Sequence, residues 1–211
     1  MDEDNEFSEI IRYTVPGYII SLILGTFLDF FEFKLHTAGQ IIIRLFAGEG
    51  ESIFEGFFAI KKRLSNSKIT MAEAYGWGKM IGMSFPIVLD LISRLIGIDV
   101  YGTEGFYIPY FYAMSDQIGA NISGLIFIHH DEKNWAKTMK KYVKHPVMLA
   151  SLIIIFAVPI GLFMARILGF SPTTHILTAL ETIFANICWL PPLVGWISEH
   201  NSNNNRSDKP R

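Results

Sequence analysis

The chain has 211 residues, of which 50% are hydrophobic, 14% aromatic and only 18% charged, with a formal net charge of −2. That balance gives no reason to expect a nucleic-acid partner and points to a membrane protein before any span is located. The single cysteine, Cys188, excludes an intramolecular disulfide and any C-x-x-C metal or redox site.

The N-terminus, MDEDNEFSE, is acidic where a secretory signal would be basic. The apolar run that follows, Thr14 to Phe33, therefore reads as a retained segment, and its twenty mostly apolar residues are enough to span a bilayer. Asp29 and Glu32 lie near its far end, suited to headgroups or to an internal site. Leu35 to Ile60 is undecided: Arg44, Glu49, Glu51 and Glu55, with Gly48 and Gly50, interrupt its apolar patches. A polar span, a re-entrant pair of half-helices and a surface segment all fit. Lys61, Lys62, Arg63 and Lys68 form a basic turn after it.

The next span is expected from about Lys79 to Ile98, with a kink at Pro86 and an Asp90–Arg94 pair four residues apart. Gly78 and Gly82 form G-x-x-x-G, a spacing that lets two helices approach closely.

Tyr107 to His130 is the most informative stretch. On a helix, Phe111, Met114, Ile118, Ile122, Leu125 and Ile126 fall on one arc, and Asp116, Gln117, Gly119, Ala120, Asn121, Ser123 and Gly124 fall on the other. One arc suits lipid and the other a protein interior. A lone helix holding Asp116 at mid-membrane would cost ~3 kcal/mol or more, so partner groups are expected on other spans.

Lys133, Lys137, Lys140, Lys141 and Lys144 follow, with Trp135, Met139, Tyr142 and Val143 at helical spacing among them. This pattern suits a helix lying in the interface with its lysines on anionic lipid headgroups. Val147 to Leu168 is a span whose Ala157, Gly161 and Ala165, every fourth residue, give one flank suited to close helix packing. Thr174 to Ile197 is another, with Thr178, Glu181, Ala185 and Cys188 on one stripe. Residues 1–200 thus read as one helical membrane domain, and 201–211 as a disordered polar tail.

The expected fold is an all-α polytopic bundle of five or six transmembrane helices in the cell membrane. Its basic loops and C-terminus face the cytoplasm by the positive-inside rule. Depth within the spans groups Asp90, Arg94, Asp116, Arg166 and Glu181, with Gln117 and Asn121 adding hydrogen-bonding capacity. Such a cluster would bind a cation, relay a proton or hold a polar solute.

His129, His130, Asp131 and Glu132 lack the i, i+4 geometry of helical metal ligands, so no metal site is expected. Gly76 to Lys79 is not a P-loop, and Gly82 to Pro86 is not a nucleophile elbow. No catalytic residues and no cofactor are expected. The functional expectation is an oligomeric channel or transporter with a site around Asp116. The alternatives are a noncatalytic accessory or scaffold subunit docked on a membrane-protein partner and a lipid-modifying enzyme with a carboxylate base.

Overall fold

A computed structural model of the chain describes residues 6–30, 38–65, 68–96, 107–167 and 189–207. Among them are seven helices and no strand: α1 (Glu6–Phe30), α2 (Ala38–Leu64), α3 (Met71–Leu95), α4 (Tyr107–Glu132), α5 (Trp135–Tyr142), α6 (Pro146–Ile167) and α7 (Leu190–Ser207). The chain is all-α, as its periodicities predict. The undecided stretch is resolved from Ala38 onward as one continuous helix, and α3 runs unbroken through Pro86.

Local chemistry sets several boundaries. Thr70 precedes α3 and its hydroxyl accepts from the Glu73 amide at 3.2 Å, satisfying one of the first-turn donors. Asn134 caps α5 in the same way, accepting from the Lys137 amide at 3.2 Å. Lys133, at φ 51°, turns the chain sharply between α4 and α5. The N-terminus of α1 is capped from the other end of the sequence: the Glu199 carboxylate accepts from the amides of Phe7 at 2.8 Å and Ser8 at 3.0 Å. The polar tail differs from its compositional reading, because α7 continues as helix through Asn201 to Ser207. Glu199 ties that helix to α1, and the Ser202 hydroxyl donates back to the Ser198 carbonyl.

Each long helix packs on the next, α1 on α2, α2 on α3, α3 on α4, α4 on α6, α6 on α7 and α7 back on α1. Glycines set the two tightest antiparallel crossings. A Cβ on Gly17 of α1 would stand 2.5 Å from the Gly50 carbonyl oxygen of α2. One on Gly78 of α3 would stand 2.5 Å from the Gly119 carbonyl oxygen of α4. Only glycine permits either approach.

The distribution of polarity is inverted relative to a water-soluble bundle. On α4, Ile118, Ile122 and Ile126 recur every fourth residue and are 40%, 55% and 62% exposed. Exposed apolar stripes also run along α3 (Ile81, Phe85, Val88, Ile92) and α6 (Leu149, Ile153, Phe156, Ile160). Inside, Glu51, Ser52, Glu55, Glu73, Lys79, Asp116 and Gln117 are wholly buried. An apolar layer that includes Ile10, Phe58, Tyr75, Ile128 and Met148 lies below this polar interior, toward the lysine-bearing end. By length and composition alone, one stretch among the described residues, Glu6–Leu24, is long and apolar enough to cross a membrane, and Pro146–Ala157 is a shorter apolar helix. That criterion supports membrane association through one helix. The five or six spans expected from the sequence are not carried by it.

Candidate functional site: a buried lysine among three carboxylates

Lys79 is the centre of the interior. It stands on the α3 stripe Ala72, Tyr75, Lys79 and Met83, all buried, so the pitch that turns Tyr75 inward turns the ammonium inward as well. Its Nζ lies 3.0 Å from Glu55, 3.3 Å from Asp116 and 4.0 Å from Glu51. It also stands 5.7 Å from the centroid of the Tyr75 ring, within cation–π range. Glu51 and Glu55 are four residues apart on α2 and so share a face, with Ser52 beside them.

Two of the carboxylates are held by hydroxyls from α1 and α2. The Thr14 hydroxyl of α1 donates to Glu55 at 2.6 Å, and the Ser52 hydroxyl donates to Asp116 at 2.7 Å. Neither oxygen of Glu51 has a hydrogen-bond partner among the described residues, which leaves it the least satisfied member. Glu73, lower on α3, is likewise buried with neither oxygen hydrogen-bonded among the described residues.

From Asp116 a polar thread runs toward the lysine-bearing end. The Gln117 amide reaches Asp116 at 3.5 Å and accepts from the Ser151 hydroxyl of α6 and, at 3.4 Å, from the Tyr75 hydroxyl. Asn121 donates to Ser151 at 2.7 Å and accepts from the hydroxyl of Tyr142, the last residue of α5. This thread crosses the apolar layer that otherwise closes the cluster from below.

Three carboxylates facing one ammonium would carry a formal charge of −2 if all were ionised. Such a deficit in a water-poor interior is costly by several kcal/mol per ion, and it is relieved by bound protons or a bound cation. The arrangement is therefore chemically equipped to load and release positive charge. Among the described residues no group of three or more metal-ligating side chains has the geometry to hold a metal ion.

Of the residues expected from the sequence, Asp116, Gln117 and Asn121 are brought together. The side chains of Asp90, Arg94 and Arg166 lie outside the described residues, as does Glu181 altogether. The backbone register nevertheless separates Asp90 from Asp116. Gly78 meets Gly119 and Ala120, and Gly82 meets Ser115 and Asp116, so Asp116 is level with Lys79 to Gly82. Asp90 follows Gly82 by about 12 Å along α3 at the helical rise.

Sequence reasoning missed Lys79, Glu51 and Glu55. The legible signals were the Glu51–Ser52–Glu55 spacing on one helical face and the position of Lys79 on the stripe with Tyr75 and Met83. Comparison with family models, with curated proteins and with solved structures gives no match for this chain.

Proposed function

We propose that this chain is a multi-pass membrane protein that moves an ion, or a small polar solute coupled to one, through a site built on Lys79, Glu51, Glu55 and Asp116. The observation that carries the reading is the inversion of polarity. Five ionisable groups, Glu51, Glu55, Glu73, Lys79 and Asp116, are wholly buried while α3, α4 and α6 turn apolar stripes outward. In water those stripes would be an aggregation hazard; in hydrocarbon they are the solvated face. Charged groups inside a spanning bundle mark ion and proton pathways.

On this reading α1, α2, α3, α4 and α6 cross the membrane; the last span expected from the sequence, Thr174 to Ile197, lies largely outside the described residues. The lysine-rich α4–α6 connection faces the cytoplasm. The outward stripes also suit self-association into an oligomer. They favour one other function, an accessory subunit whose stripes pack on the helices of a partner.

Flux in proteoliposomes separates the two. Under imposed proton, sodium and potassium gradients, the wild type is expected to conduct one of them, and Asp116→Asn to lose at least 90% of that rate. A folded, inserted wild type with no flux for any of the three, purified with a stoichiometric membrane partner, would support the accessory function instead.

A further inference from the structure

The short helix α5 presents three separate arcs. Thr138 and Tyr142 face the protein and are buried, the former 3.1 Å from His129 Nδ1 and the latter on Asn121. Trp135, Met139 and Val143 form an adjoining arc that is apolar and exposed, with Trp135 stacked on His129 at 3.9 Å between ring centroids. Lys137, Lys140 and Lys141 occupy the remaining arc, spread over about 100° around the axis at 100° per residue, with Lys144 just past the helix end, and all four are exposed. Among the described residues, only Lys141 of these has a carboxylate close by, Glu132 at 3.2 Å.

An apolar arc bordered by uncompensated lysines matches a leaflet surface: acyl chains for the one, anionic headgroups for the other. The same helix ends in Tyr142, whose hydroxyl terminates the polar thread that leads through Asn121, Ser151 and Gln117 to Asp116. We propose that α5 is a lipid-sensing element. Anionic headgroups engage Lys137, Lys140 and Lys144, seat α5 on the leaflet, and so hold Tyr142 on Asn121 and set the activity of the buried cluster. The regulatory half rests on the transport function above; the lipid contact does not.

The test uses the full chain in lipid nanodiscs, either zwitterionic or containing phosphatidylserine, with backbone hydrogen exchange read over residues 135–144 and 117–124. Each lysine near an anionic surface is worth about 1 kcal/mol, so phosphatidylserine is expected to slow exchange in α5 at least about tenfold. Substitution of Lys137, Lys140 and Lys144 by glutamine should abolish the slowing. Raised salt should do the same to the wild type without any substitution.

Tyr142→Phe should keep the slowing in α5 and lose it over 117–124. Equal exchange of α5 in the two bilayers would overturn the proposal. Equal slowing by a soluble polyanion in zwitterionic discs would overturn the lipid assignment and point to an acidic protein.

Flux from matched vesicles supplies the second arm. Flux that depends on phosphatidylserine in the wild type but not in Tyr142→Phe supports the regulation. Flux indifferent to phosphatidylserine, with α5 still protected by it, overturns the regulation. Absence of flux in both lipids, with α5 protected, overturns the transport function and leaves the lipid contact standing.

Discussion

Replacing Lys79 by methionine removes the ammonium from three carboxylates while nearly preserving side-chain volume. Its Nζ sits 3.0 Å, 3.3 Å and 4.0 Å from Glu55, Asp116 and Glu51. At an effective dielectric of about 20, each contact corresponds to roughly 4–6 kcal/mol of gross attraction. Most of that is offset by the desolvation of the four groups and by repulsion among the carboxylates. What remains on deletion is the cost of stranding buried acids without their counter-ion, typically about 3–5 kcal/mol. Lys79→Met is therefore expected to lose about that much in equilibrium unfolding by denaturant in mixed micelles. Glu55→Gln in the same chain should restore part of it, giving a coupling of about 1–3 kcal/mol in a double-mutant cycle. If Lys79→Met unfolds within about 0.5 kcal/mol of the wild type, or if the cycle shows no coupling, the cluster does not hold the interior together as argued.

The glycine crossings supply a contrast within α4 and its neighbours. Gly82→Ala drives a methyl into the Ser115 carbonyl oxygen, which is backbone, and should cost about 1–3 kcal/mol despite alanine's better helix propensity. Gly124→Ala meets only side-chain atoms of Met148, which is flexible, and should stay within about 1 kcal/mol of the wild type; thermal unfolding compares the two. Glu199→Gln weakens the charged cap on α1, costing about 1 kcal/mol and speeding amide exchange at Phe7 and Ser8. At the α5–α6 junction, burial and then the Lys141 charge push the His145 imidazole down to about 4 from its ordinary 6.5. The folded chain therefore keeps His145 neutral, and the unfolded chain takes up its proton first. This contribution to stability is complete above pH 6.5 and is lost as pH falls toward 4, amounting to at most about 3 kcal/mol before solvent screening reduces it. His145→Gln should flatten that part of the stability–pH curve.

The helical class and the buried face of α4 were legible because a 100° period separates Ile118, Ile122 and Ile126 from Asp116, Gln117 and Asn121 within one segment. The site's centre was not, because its charges meet across helices. Glu51 and Glu55 lie in a stretch whose glycines and apolar patches admit several structures, and Lys79 was read as the edge of a span. The pairing of α3 with α4 depends on Gly78 and Gly82 finding Gly119 and Ser115. The G-x-x-x-G spacing announces such a contact without naming its partner. The tail was misjudged for a related reason: composition reports the polarity of Asn201 to Ser207 but not the tertiary tie that Glu199 makes to α1.

If the buried cluster carries the transported charge, Glu51 is the residue whose substitution reads it with the least disturbance. It is the member with no hydrogen bond among the described residues, so Glu51→Gln disturbs packing least. In proteoliposomes under an imposed ion gradient, the account predicts a wild type that conducts and a Glu51→Gln variant that unfolds like the wild type but conducts at least about tenfold more slowly, a barrier change of about 1.4 kcal/mol. Wild-type flux undiminished in Glu51→Gln and in Asp116→Asn alike would contradict it.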